Sequence, residues 1–180
     1  MADGGSAPVP AVDAGDPEPM APLGRGTESR GLDVSMERAE IYHADGAMDT
    51  VVEEEIVLIP NDRVRIFLTA TNRSNGWVPM NFELCVENQS HLSVLDQGSV
   101  ELDDLSEAPV LEEPCAVRFQ DDWPTLERGE SREFLVGGVV AKSRIGGGYL
   151  TVYFRAEFLH QGVVDLFEYT IPYRVRRPPS

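Results

Sequence analysis

Y-L-T-V-Y-F-R-A-E-F, Tyr149 to Phe158, is the stretch that decides the fold. Leu150, Val152, Phe154, Ala156 and Phe158 recur at every second position, and Tyr149, Thr151, Tyr153, Arg155 and Glu157 fill the places between. One apolar and one polar row at period two is the pattern of a strand with one face buried. After His160-Gln161-Gly162 the pattern resumes, with Val163, Phe167, Tyr169, Ile171, Tyr173 and Val175 in one row and Asp165 as its only charge. A short connection ending in glycine between two such runs predicts a hairpin.

Outward from this pair, Asp62 to Asn72 alternates through Val64, Ile66, Leu68 and Ala70, and Pro79 to Val86 through Met80, Phe82, Leu84 and Val86. Shorter candidates are Ala39 to His43, Val51 to Ile59, His91 to Leu95, Cys115 to Gln120 and Arg132 to Ala141. Turn chemistry separates them at Pro60-Asn61-Asp62, Asn72 to Gly76, Glu127 to Glu130 and Gly146 to Gly148. Asp96 to Pro114 is weakly patterned and predicts a helical turn or a crossing loop. No long window has helical periodicity. The expectation is an all-β, immunoglobulin-like antiparallel β-sandwich of about eight or nine strands over residues 34–180.

Residues 1–33 are different material. They hold five of the 13 prolines, six of the 16 glycines and no aromatic residue. Too little apolar surface is present to offset the entropy of ordering, which predicts a disordered acidic tail. Over all 180 residues, 31 acids against 15 bases give a net charge of −16. Such a chain repels phosphate backbones, which excludes nucleic acid as a partner, and no apolar run is long enough for membrane insertion. With no secretion signal, the expectation is a cytoplasmic protein with reduced thiols, although whether Cys85 and Cys115 pair is left open. Oligomeric state is left open too.

Catalytic chemistry is sparse. His43, His91 and His160 lie far apart, with no serine, cysteine or aspartate at a spacing typical of a triad. Cys85 sits mid-strand among apolar neighbours, as an inert thiol does. The two cysteines lack metal spacing, the acid pairs lack a calcium-loop pattern, and Gly146-Gly147-Gly148 lacks the lysine of a phosphate loop. The reading is no enzyme, no cofactor and no metal, with a sandwich whose ligands converge only in three dimensions kept as an alternative. Binding of other proteins or of short peptide motifs is the function left. The outward row Tyr149, Thr151, Tyr153, Arg155 carries residue types that supply binding hot spots, though cross-strand pairing on a wet face explains them equally. Trp123, inside the connection Asp121-Asp122-Trp123-Pro124, and Trp77 are either lids on the core or exposed anchors.

Four segments carry a family resemblance: R-I-F-L-T-A-T-N-R-S-N (Arg65 to Asn75), M-N-F-E-L-C-V (Met80 to Val86), L-E-R-G-E-S-R-E-F-L-V (Leu126 to Val136) and L-T-V-Y-F-R-A-E-F-L-H-Q-G (Leu150 to Gly162). Together, from about Val51 to Val175, they resemble the appendage or ear domain of clathrin adaptor subunits, of the gamma-adaptin and GGA type. The resemblance implies a non-enzymatic module in intracellular vesicle-trafficking assemblies that binds short motifs combining an aromatic anchor with acids. It implies basic contacts on the strand before the His-x-Gly turn. Arg155 matches one, whereas Tyr153 and Thr151 stand at two others, where this sequence departs from the family. A subunit packed permanently into a larger complex is the competing reading.

Overall fold

A computed structural model describes residues 25–26, 31–52, 55–158 and 162–179. Two sheets face each other. In the first, β6 (Val78–Val86), β11 (Gly146–Phe158) and β12 (Val163–Val175) form the body. β8 (Cys115–Val117) and β9 (Thr125–Leu126) run along the free edge of β6, while β1 (Arg25–Gly26) and β4 (Ile56–Leu58) run along that of β12. The second sheet has the order β3 (Met48–Val51), β2 (Leu32–Tyr42), β5 (Arg63–Asn72), β10 (Ser131–Ala141), β7 (Leu92–Val94). The architecture is the expected immunoglobulin-like sandwich. Its six long strands are joined by six of two to four residues, and β4 pairs with β12 in parallel rather than antiparallel fashion.

The apolar rows meet between the sheets. Phe82 packs edge-on to Phe154 with ring centroids 5.1 Å apart, and Phe154 stacks on Phe167 at 4.7 Å. Phe134 of the opposite sheet closes on Phe82 at 5.3 Å. β11 and β12 pair from Gly146↔Val175 to Phe158↔Val163, as a hairpin requires.

β5 keeps one parity throughout, with Val64, Ile66, Leu68 and Ala70 buried. Both of its neighbours break theirs. β2 has an extra residue between Met36 and Arg38, and β10 between Leu135 and Gly137, each opposite the Ile66 to Leu68 step. Inward positions therefore change from even to odd, from Leu32 and Met36 to Ala39 and Ile41, and from Phe134 and Val136 to Val139 and Ala141. The bulge in β2 turns the Met36 amide inward, where it donates to the Tyr169 hydroxyl of the other sheet at 3.1 Å.

Three expectations are corrected. Val51 to Ile59 is not one strand: β3 ends at Val51 in one sheet and β4 starts at Ile56 in the other, because three successive glutamates, 53–55, supply no apolar row. Gly146 to Gly148 is not a turn but the start of β11, and the side chains are missing because other groups need the room. A Cβ on Gly146 would lie 2.5 Å from the His91 ring, and one on Gly148 would lie 2.9 Å from the Tyr173 hydroxyl. Leu32, assigned by composition to the tail, is buried as the first residue of β2, and Arg25–Gly26 pair with β12.

The Asp96 to Pro114 connection does contain helical turns, Gln97–Ser99 and Leu105–Glu107, with aspartate caps at Asp96 and Asp104. It covers the outer face of the second sheet, burying Leu95, Val100, Leu105 and Ala108. Arg63 and Arg65, on the outward row of β5, donate to its carbonyls at Leu105, Ala108, Val100 and Leu102.

Candidate binding groove

The site is built by the chain that covers the edge of β6. Cys115 faces Cys85, Val117 faces Glu83, and the Arg118 amide donates to the Phe82 carbonyl at 2.8 Å. Asn81 then extends the ladder with its side chain, donating to the Phe119 carbonyl at 2.7 Å and accepting from the Phe119 amide at 3.0 Å. Backbone pairing resumes where the Met80 amide reaches the Pro124 carbonyl and Thr125 faces Pro79. Between these anchors residues 120–123 have no ladder partner in β6, and Asp122 takes a positive φ of 42°. The loop swings outward and presents Trp123 over the sheet face.

Beneath it lies a groove of about 440 Å³, the size of a small-ligand or side-chain site. Trp123, Phe119 and Val117 form one wall, Asn81, Glu83, Tyr153 and Arg155 the floor, and Leu166 of β12 the far rim. The Arg155 guanidinium carbon lies 5.8 Å from the centre of the Trp123 ring, within cation–π range, and its Nε is 4.0 Å from Glu157. Leu166 is 73% exposed and Tyr153 42%, with Val117 and Val164 also open to solvent. Large apolar side chains kept in water around a concave floor are characteristic of recognition surfaces.

Of the residues that the sequence singles out, Arg155, Tyr153 and Trp123 come together here. Thr151 does not: on the same row it is only 1% exposed, with its hydroxyl donating to Glu87 at 3.3 Å. Its cross-strand neighbour is Cys85, whose link to Cys115 lies on this face and closes over it. Tyr149 is exposed but lines a different depression, near Arg174. Trp77 is 62% exposed and outside the groove. Sequence reasoning misses Asn81, Phe119 and Leu166. For Leu166 a signal exists, since Val164 and Leu166 put apolar bulk on the polar row of β12.

The expectation of reduced thiols is overturned. Cys85 and Cys115 are direct cross-strand partners with Cα atoms 4.1 Å apart, and they form a disulfide. Glu83 offers a carboxylate within 4.8 Å of both sulfurs, but thiolates, not a disulfide, are what a soft metal needs. His43 sits between Asp62 and Asp49, its ring nitrogens 2.8 and 2.7 Å from their oxygens, and these hydrogen bonds, that of Asp49 foremost, raise its pKa above the ordinary 6.5. His91 is buried with Nδ1 3.1 Å from the Tyr173 hydroxyl. His160 lies outside the described residues. Asn72, which matches a glycosylation sequon, is buried, with its amide nitrogen donating to Gly76 and Leu126. Among the described residues, no helix is long and apolar enough to cross a membrane.

No family model matches the chain, and no curated protein matches it. Among solved structures, it is similar to the ASH/PapD-like domain 7 of human CEP192, with 10% identity, a TM-score of 0.45, and coverage of 99% of this chain and 100% of that one. The C-terminal domain of wzt matches at 12% identity and a TM-score of 0.41 over 88% of this chain and 83% of that one. The Northeast Structural Genomics Consortium target SoR45 matches at 13% identity and 0.34, over 82% and 86%. Of the resemblance drawn from the four sequence segments, the strand order supports the immunoglobulin-like sandwich and nothing finer.

Proposed function

We propose that the chain is a non-enzymatic protein-interaction module that holds a short extended peptide segment in the groove between Trp123 and Leu166. The observation that carries this reading is the pairing of an indole with a guanidinium at 5.8 Å above a floor rimmed by exposed leucine, valine and tyrosine. Tryptophan, tyrosine and arginine are the side chains that dominate binding energy where interfaces have been dissected. Glu83 and Glu157 flank the single arginine, so an acidic motif of the ear type meets two like charges for one opposite. The favoured ligand has an apolar or aromatic anchor and neutral or basic flanks. The disulfide fits work in an oxidising compartment rather than the cytosol.

The test uses Trp123 as its own reporter. In a Trp77→Phe background it is the only indole, and a peptide selected from a displayed random library for binding to the parent shifts its emission on titration. Leu166→Ala or Arg155→Glu is expected to weaken that titration about thirtyfold, the scale of one hot spot, with an unchanged melting curve. Selected peptides that leave Trp123 emission unmoved, or that bind both folded variants as well as the parent, would refute the assignment.

A further inference from the structure

On the same outer face, β11 and β12 form a second depression of about 460 Å³, lined by Ile145, Gly147, Tyr149, Pro172, Arg174 and Arg176. Its charge runs against that of the chain. Arg174 is 2.5 Å from Glu55, but Arg144, Arg176 and Arg177 are exposed and, among the described residues, reach no carboxylate. Elsewhere Arg38, Arg65, Arg73, Arg118, Arg132 and Arg155 find an acid, Arg63 donates to the carbonyls of Leu105 and Ala108, and Arg128 is exposed and alone, with no carboxylate among the described residues. Arg176 lines the depression, as does Glu55, and Arg144 and Arg177 adjoin its lining residues Ile145 and Arg176 in sequence. In a chain of 31 acids and 15 bases, three arginines that reach no carboxylate among the described residues thus gather at one pole, where β11 begins and β12 ends.

The N-terminal segment enters beside this pole. β1 is antiparallel to β12, with Gly26 opposite Tyr169 and Arg25 opposite Thr170. In this antiparallel register, from Gly26 to Arg25, β1 points along β12 in the direction of Pro172, Arg174 and Arg176. β4 occupies that edge from Tyr173 onward, and the outer face is the open surface beside it. Residues 1–24 contain Asp3, Asp13, Asp16 and Glu18 with no basic side chain, and residues 16–23 read D-P-E-P-M-A-P-L.

We propose that Asp13 to Leu23 docks on this depression as an intramolecular ligand, with its carboxylates toward Arg144, Arg176 and Arg177 and its prolines across Tyr149. Proline at every second or third position favours the polyproline II helix, which advances about 3.1 Å per residue. Eight residues then cover about 25 Å, against about 20 Å for the six strand steps from Thr170 to Arg176. Such a helix needs no ladder partner and suits an aromatic-lined groove. The tether supplies an effective concentration of about a millimolar, so a weak contact is sufficient. Docked, the segment neutralises the basic pole and leaves the remaining surface acidic.

Backbone amide NMR of the full chain tests this at about 10 mM salt, where charges act over about 30 Å. Amides of Asp16, Glu18, Met20 and Ala21 are expected away from random-coil positions in the parent. They return to those positions in Arg144→Glu/Arg176→Glu/Arg177→Glu, in Asp13→Asn/Asp16→Asn/Glu18→Gln, and in about 1 M salt, where the screening length is about 3 Å. The carboxylate variant leaves every residue of the sandwich intact, so a folding failure of the arginine variant does not protect the proposal. Random-coil positions in the parent, or displaced amides that neither variant moves, overturn it.

Discussion

Replacing Cys85 and Cys115 together with alanine removes a crosslink between residues separated by 30 in sequence. For a loop of that length the chain-entropy relation gives a loss of about 3.6 kcal/mol at 25 °C, because the unfolded chain regains freedom that the bond had removed. The folded side does not offset this, since Cys85 is buried and its truncation removes a packed sulfur. For a chain of this size each kcal/mol moves the thermal midpoint about 2–4 °C, so a fall of about 7–14 °C is expected. Paired thermal scans of parent and double variant, followed by circular dichroism without reductant, measure it. Hydrogen exchange adds a local readout: amides of Ala116 to Phe119, on the segment tied down at Cys115, are expected to lose protection before those of β11. A double variant that melts within about 2 °C of the parent would refute the argument and show that the ladder between β8 and β6 holds the segment without the bond.

Other outcomes follow from the core and the turns. Phe82→Ala and Phe154→Ala are each expected to cost about 3–5 kcal/mol in denaturant unfolding, since both rings lie in the aromatic stack between the sheets, and parent-like midpoints would mean that the faces are inverted. Gly146→Ala puts a methyl 2.5 Å from the His91 ring and is expected to cost about 1–3 kcal/mol, whereas Gly129→Ala, with nothing within 4 Å, feels only its backbone. His43 has a folded pKa raised above 6.5, so its contribution is complete below that value and is lost as pH rises through the folded pKa. His43→Gln is expected to flatten stability against pH in that window, and curves that stay parallel from pH 6 to about pH 9 would show that the two aspartates do not favour the charged ring.

Alternation made β5, β6, β11 and β12 legible in the sequence, because none of them carries a bulge and each shows a row of four or more apolar residues. The Arg155 row was legible for the same reason, as was the solvent side it occupies. What the sequence concealed is pairing between distant segments. Nothing in Pro114-Cys115 says that it lies against Val86, so both the disulfide and the burial of Thr151 beneath it were out of reach. Asn81 reads as an ordinary polar residue on a wet face, and only the path of residues 115–126 shows that its amide replaces a rung of the ladder. The N-terminal half of β2 went unseen because its inward residues, Leu32, Val34 and Met36, are out of step with Ala39 and Ile41.

That change of step bears on which mutations the chain can survive. Glu37 and Val136 are the extra residues, and they stand opposite adjacent steps of β5, Phe67–Leu68 and Ile66–Phe67. Deleting either would make the strand look more regular, yet it would force one half of the strand to turn its apolar residues to water. The usual rule that insertions and deletions belong in loops is therefore sharpened here. Two positions deep in the sheet act as spacers, and the natural length of each strand is held by its two halves together. An ancestor lacking one spacer would have needed the other half of that strand rewritten in the opposite polarity, so neither spacer could be lost by a single event without the fold being lost with it.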